Sequence, residues 1–394
     1  MVGITKLLCG SENFGDKLRY VPDASKQRCG TSADYGPVVV WNCTNQCNLN
    51  CKHCYANSKN FKSEEELTTN EAKSLIDDLA KLNIPVLLIS GGEPLMRDDI
   101  FEIIHYANKC NLRITISTNG TLIDKKMAEE LKKLCVSYVG ISLDGIGSRH
   151  DDFRGYPGSF NKSLAAIRNC LEIGQKAGLR FTISRYNYDQ LNDIFHLIKE
   201  EKIPRVCFYH LAYSGRGSSM VDMDITKEEK RAALDLIMEK TVEFGKNVEI
   251  LTVDNHADNI YLYLQSKNKN PLLADKIWEL IQMGGGNRSG IAIANIDYKG
   301  NVHADQFTWH YNFGNVRDTK FSEIWTHPAN PVAIGLRDRK PLLKGRCSKC
   351  RWLNICNGNL RVRAEAVTGD FWASDPACYL SNEEIGVPDD TVLI

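Results

Sequence analysis

From residue 37 to about 213 the chain repeats one pattern, a short apolar run followed by a longer stretch with apolar residues every third or fourth position. The short runs are 38–41, 86–90, 113–117, 138–143, 180–184 and 206–211, and each reads as a strand. Between them, helices are predicted over 68–82, 100–110, 122–134, 159–173 and 188–200. The clearest runs from Thr68 to Leu82: Thr68 and Glu71 form a capping box, and Ala72, Leu75, Ile76, Leu79 and Leu82 share one face. Near-continuous apolar strands alternating with amphipathic helices predict a parallel sheet covered by helices. Six such units fall short of the eight that close a full barrel, so the expected fold is α/β, a partial (β/α)6 TIM-like barrel. In such folds functional groups gather at the C-terminal ends of the strands.

After Gly215-Arg-Gly217 the alternation is expected to stop. A charged amphipathic helix over 227–244 leads into a second region, with helical stretches at 260–264 and 272–283. A hairpin follows, from 291–297 through a Tyr-Lys-Gly-Asn turn to 302–304, then a last helix at 321–325. The expected organisation is a separate N-terminal extension (1–35), a core (36–225) and a C-terminal extension (226–394).

Composition adds bounds. Hydrophobic residues make up 43% and charged residues 25% of the 394, as in an ordinary soluble enzyme, and acidic and basic residues balance at 49 each. That balance gives no reason to expect a nucleic-acid or anionic-membrane partner. The start of the chain lacks the features of a signal peptide, and no apolar run approaches the ~18 residues of a spanning helix. A cytoplasmic location is expected. Fourteen cysteines in such a chain are not a disulfide framework, because the cytosol keeps thiols reduced.

The cysteines are unevenly placed. Cys110, Cys135, Cys170 and Cys207 lie in apolar contexts and read as small buried hydrophobes, and Cys9 and Cys29 are isolated. Cys47, Cys51 and Cys54 follow the first strand, at the expected active face. Three thiolates at this spacing can hold three irons of a [4Fe–4S] cube, leaving the fourth open to a reactive ligand. Zinc is the alternative, since His53 is also a competent ligand, but zinc knuckles favour paired close spacings. Cys43 is expected at the strand end, pointing away. The second strand ends in Ser90-Gly-Gly-Glu-Pro94, where paired glycines let a ligand touch the backbone and Glu93 offers a carboxylate or its neighbouring carbonyl to an ammonium group. A second group, Cys347, Cys350, Cys356 and Cys378, is a closed set of four, suited to a structural or electron-relaying metal, with a zinc ribbon as the alternative.

Together these motifs resemble the radical S-adenosylmethionine (SAM) superfamily. There the open iron binds the amino and carboxylate groups of SAM, and one electron releases a deoxyadenosyl radical that abstracts hydrogen from substrate. The resemblance implies that Cys47, Cys51 and Cys54 hold the cluster, and that His53 stands where relatives contact adenine. It implies that Gly91, Gly92 and Glu93 meet the methionyl amine. Ser142 and Asp144 would approach the ribose and methionyl end, and Arg154 would pair the SAM carboxylate, a task that suits a guanidinium fork. Thr118-Asn119-Gly120 and Ser184-Arg185 also end strands. The second cysteine group resembles the SPASM/twitch extension, which holds auxiliary [4Fe–4S] clusters. A full SPASM domain has seven cysteines, but Asp305 and Leu360 stand at two of those positions, so one auxiliary cluster is expected, two [4Fe–4S] clusters in all.

Several stretches resemble a narrower branch, which makes heme from siroheme: Leu7-Leu-Cys-Gly10, Gly36-Pro-Val-Val-Val-Trp-Asn42, Val302-His-Ala-Asp-Gln-Phe307, Arg361 to Gly369 and Asp375-Pro-Ala-Cys378. That branch includes the didecarboxysiroheme deacetylase, which removes two acetate side chains to give Fe-coproporphyrin III, and NirJ-type enzymes acting on the same precursor for heme d1. It implies a tetrapyrrole substrate and a low-potential electron donor such as flavodoxin or ferredoxin. Arg361 and Arg363 would meet carboxylates of the macrocycle, and Trp309, Tyr311, Trp352 and Trp372 would form an apolar wall or core packing. His256, His303 and His310 are candidate ligands of the tetrapyrrole iron. The rival readings are a SPASM-type peptide maturase and a non-catalytic iron–sulfur carrier. The first would need a leader-binding module, for which 35 residues look too short. The second does not explain a three-cysteine cluster followed by Gly-Gly-Glu-Pro.

Overall fold

The computed structural model describes residues 1–20 and 35–388; Cys29 and the last six positions of the C-terminal extension lie outside them. Ten strands form one sheet: β1 (Val2–Gly3), β2 (Val38–Asn42), β3 (Leu87–Ser90), β4 (Ile114–Thr118), β5 (Tyr138–Ser142), β6 (Ala177–Ile183), β7 (Arg205–His210), β8 (Glu249–Val253), β9 (Ile293–Ile296) and β10 (Val302–His303). Their spatial order is β1-β8-β7-β6-β5-β4-β3-β2-β9-β10. The six expected strands are the parallel run β2 to β7, and the edges β1 and β10 do not pair, so the barrel is open.

Two features extend the expected fold. The alternation does not stop near residue 213, because the helix Lys227–Phe244 crosses over to β8, which pairs parallel with β7. At the other edge β9 pairs parallel with β2, so the expected hairpin β9–β10 also continues the barrel wall. The start of the chain does not stand apart either. Val2 and Gly3 pair antiparallel with Thr252 and Leu251, and Ile4 and Leu7 are buried in the main core.

The helices form for local reasons. Thr68 accepts from the Glu71 amide while Glu71 returns to the Thr68 amide, and helix Thr69–Lys81 then buries Ala72, Leu75, Ile76 and Leu79. Burying each such Leu or Ile contributes roughly 1.5–3 kcal/mol. A second capping box, Thr226 with Glu229, starts Lys227–Phe244. Cys43 is buried in the main core, as the strand-end reading expected. Cys170 and Cys207 are buried, Cys110 is half-buried, and Cys135 is a correction: it is exposed, at φ 52° just past the helix Lys125–Lys133.

Candidate functional site

The cysteine loop leaves the C-terminal end of β2 and is tied down by backbone hydrogen bonds from several elements. The Cys47 amide donates to Lys59 O at 2.8 Å, Asn50 to Arg154 O at 3.2 Å and Lys52 to Phe153 O at 3.0 Å. Arg216 adds two more bonds, from its amide to Cys54 O at 2.9 Å and from Nε to Cys51 O at 2.8 Å. Cys47 and Cys51 are buried and Cys54 is half-buried, and all three line a cavity of about 820 Å³ that runs through the barrel lumen. Burial, and after it the charge of Glu93, pushes the Cys47 thiol up to about 12. Burial also raises Cys51, opposed by the Arg154 guanidinium. Bound iron inverts that preference, because a coordinated thiol is deprotonated outright.

The glycines seat this loop. A Cβ on Gly92 would lie 2.2 Å from Gln46 O, and one on Gly91 2.7 Å from Thr44 O. The Gly92 and Glu93 amides donate to Thr44 O and Gln46 O, each at 2.7 Å. Gly91, Gly92 and Ser142 line the cavity. Of the two groups expected at Glu93, the carboxylate lies behind the wall, accepting from Thr118 Oγ1 at 2.7 Å, the Asn119 amide at 2.8 Å and the Leu95 amide at 3.1 Å. Burial raises it to about 7.

Asp144 is likewise behind the wall. It is fully buried, forms an ion pair with Arg154, accepts from the Thr182 amide at 2.6 Å and stands 3.6 Å from His53 Nε2. Arg154 is not a solvated surface charge: it is buried, lines the cavity, and places Nη1 3.6 Å from Cys51 Sγ. His53 stacks on Phe153 with ring centroids 4.5 Å apart, and burial lowers it to about 4, so the ring is neutral. Asp144 thus holds Arg154 and stands beside His53, two groups that face the cavity. Asn119 reaches toward Cys47, with Nδ2 2.9 Å from Asn48 Oδ1. Ser184 and Arg185 do not line the cavity; Arg185 instead donates to Asp222 O at 3.2 Å.

Cys347, Cys350, Cys356 and Cys378 line one small second cavity, with Arg346, Ala257 and Ile260. Helices Gly345–Lys349 and Leu353–Cys356 place three of them, and Arg346 donates to Leu380 O beside the fourth. Burial, then Cys347, pushes Cys378 up to about 12, and Cys356 is raised by burial and then by the other three thiolates. Asp305 and Leu360 occupy other roles: Asp305 accepts from the Phe307 amide at 2.9 Å in a turn, and Leu360 packs with Phe307 and Val362. Among the described residues, no three His, Cys, Asp or Glu side chains converge on a single-ion site. A cube holds each cysteine on a separate iron, so its ligands need not converge on one point.

The donor chemistry fits the expected groups. One cavity carries the three thiols of the cysteine loop, with Cys207 apart on β7, and the other carries four. The first also presents buried polar atoms without partners, His53 Nδ1 and Arg154 Nε. The expected tetrapyrrole contacts fare differently. Arg361 and Arg363 are buried structural groups: Arg361 donates to the carbonyls of Phe371 and Ala373, and Arg363 pairs with Asp375 at 2.8 Å while donating to Leu211 O and Asp254 O. His303 is bonded to Tyr311 O at 2.9 Å and His310 to Glu365 at 2.7 Å; of the three histidines, His256 lines the large cavity. Trp309 stacks on His303, Tyr311 and Trp372 pack on Phe371, and Trp352 donates to Glu384 O, so these aromatics are half-buried and packed against neighbours in the fold. Sequence reasoning missed Tyr55, Arg180, His210 and Arg216, all lining the large cavity. For Arg180 and His210 the signal was their place within or at the end of a strand.

The radical SAM superfamily model matches residues 41–198, and the SPASM iron–sulfur cluster-binding domain matches 290–351. The chain belongs to the radical SAM superfamily and is an enzyme that binds SAM and [4Fe–4S] clusters. A Fe-coproporphyrin III synthase of Methanosarcina barkeri is 53% identical over 98% of this chain and 99% of that protein. A pre-heme d1 synthase of Dinoroseobacter shibae is 41% identical over 90% of this chain and 89% of its own. Among solved structures, Streptococcus suis SuiB bound to S-adenosylmethionine superposes with a TM-score of 0.70 at 17% identity, covering 92% of this chain and 80% of SuiB, which shows the shared fold. No helix among the described residues is long and apolar enough to cross a membrane.

Proposed function

We propose that this enzyme removes two acetate side chains from 12,18-didecarboxysiroheme to give Fe-coproporphyrin III, in the cytoplasm. The observation that carries the reading is the 53% identity with a Fe-coproporphyrin III synthase across nearly the whole of both chains. In this reading Cys47, Cys51 and Cys54 hold the SAM-binding cluster, whose bound SAM supplies a deoxyadenosyl radical. Arg154 meets the SAM carboxylate, Gly91, Gly92 and Ser142 form the bed on which SAM lies, and neutral His53 faces the adenine. Glu93 and Asp144 act through their neighbours, the first bracing the 118–119 loop and the second aiming Arg154. Cys347, Cys350, Cys356 and Cys378 hold one auxiliary cluster. A flavodoxin or ferredoxin delivers the electron. Large volume suits a macrocycle, since ligand pockets commonly span roughly 300–1,000 Å³.

The 41% identity with a pre-heme d1 synthase supports a second reading, in which other side chains of the same precursor are removed. Anaerobic incubation of the reduced, iron-loaded enzyme with SAM and didecarboxysiroheme, followed by mass spectrometry, separates the two. Loss of two acetates is expected. Loss of other side chains favours the second reading, and an unchanged macrocycle beside accumulating deoxyadenosine overturns both.

A further inference from the structure

The barrel lumen holds arginines in two different situations. Arg205 has a carboxylate at hand, Glu249 at 3.3 Å, and Arg154 has Asp144. Arg180 on β6 has no carboxylate partner among the described residues. Its Nη1 donates to Ser117 Oγ at 2.7 Å, while its Nε is buried without a hydrogen-bond partner. The groups acting on it are Tyr209, Tyr138, Cys207 and the like-charged Arg205. Room for it is made on the neighbouring strand: a Cβ on Gly140 would sit 2.2 Å from Arg180 Nε. The lumen is therefore shaped around a half-buried cation that no carboxylate among the described residues neutralises. Burying a charge is costly unless it is paired, and the cavity that Arg180 lines is where a counter-charge can arrive.

Arg180 pairs in register with Ser142 and Cys207, and Thr182 lies one inward-facing position further along β6, toward the cysteine loop. It is thus one layer of side chains below the rim. A planar guanidinium with free donors is suited to a carboxylate, which it can grip through two parallel hydrogen bonds. Resting on the substrate proposed above, we infer that Arg180 binds a side-chain carboxylate of the iron tetrapyrrole and sets the enzyme's preference for the free acid.

The test is an anaerobic absorbance titration of the iron-loaded enzyme with didecarboxysiroheme and, separately, with its carboxyl methyl ester. Wild type binds the acid more tightly than the ester. In Arg180→Gln that preference falls about ten- to a hundredfold, the value of a hydrogen bond to a charged group, and Arg180→Lys retains part of it. An unchanged preference in an iron-loaded Arg180→Gln overturns the inference while leaving the substrate assignment standing. If only the Lys variant keeps its iron, its acid-to-ester ratio decides: reduced supports the inference, unchanged overturns it. Loss of iron from both variants marks Arg180 as structural and also overturns it. A wild-type enzyme that takes up neither tetrapyrrole sinks the substrate assignment, and this inference with it.

Discussion

The two cysteine-lined cavities differ in what surrounds the thiols. The first opens into a lumen of about 820 Å³, and its wall carries Arg154, neutral His53 and two glycines pressed against the cysteine loop. The second is small, and its other walls are largely apolar, from Ala257, Ile260, Leu353, Leu380 and Ile385. Three ligands beside a large charged cavity leave a coordination position where a reactant can enter. Four ligands in a small apolar one do not. A site becomes a reagent through the ligand it lacks together with the space and charge beside the gap, and a site becomes a relay or a brace by closing both.

The sharpest break in this comparison is Cys54→Ala. SAM cleavage should be abolished, while an iron assay should still find the roughly four irons of the C-terminal cluster, from about eight in the wild type. Retained cleavage would overturn the ligand assignment. Next in size is Arg154→Ala, which leaves Asp144 buried and unpaired. Removing one partner of such a pair costs about 3–5 kcal/mol, so both a lowered denaturation midpoint and weak SAM binding are expected. The double variant Arg154→Ala/Asp144→Ala should recover part of the stability but none of the SAM binding. Equal recovery of both would show that Arg154 serves only the fold. Arg363→Met should cost a similar 3–5 kcal/mol, because Asp375 then loses its partner and the C-terminal region its bonds to Leu211 O and Asp254 O. That loss should appear in chemical denaturation. Gly92→Ala should displace the cysteine loop and deplete iron from the first site alone, seen as a half-loaded protein. Smallest is Cys43→Ala. Core packing suffers modestly, but SAM cleavage per loaded cluster stays at the wild-type level, since Cys43 does not line the cavity.

Where a signal is local, the sequence carried it. The capping box Thr68/Glu71 marked a helix start, and the apolar runs of β2 to β7 marked a parallel sheet. Strand β8 was missed because its short run Glu249–Val253 follows the charged 226–247 stretch, and the parallel partnership of β9 with β2 joins residues some 255 positions apart. No local pattern encodes such a pairing. Glu93 and Asp144 were located at the right strand ends, but the structure turns their carboxylates behind the cavity wall. Strand periodicity says that a carboxylate lies near a site, whereas its direction depends on the Thr118, Asn119, Thr182 and Arg154 donors brought by other strands and helices. Arg361 and Arg363 looked like free carboxylate receptors for the same reason: the carbonyls and Asp375 that occupy them are set by tertiary packing. Arg180 lay in a run read only as a strand, and its significance needs Gly140 and Ser117 from two other strands.

The central claim is that the Cys47–Cys51–Cys54 site alone has an open iron for SAM. Low-temperature electron paramagnetic resonance of the reduced protein, recorded with and without SAM, tests it most directly. SAM should shift one cluster's signal in the wild type and in a Cys347→Ala/Cys350→Ala variant, and no signal in Cys54→Ala. A SAM-shifted signal that survives in Cys54→Ala, or vanishes with the C-terminal cysteines while the first cluster remains loaded, would contradict the claim.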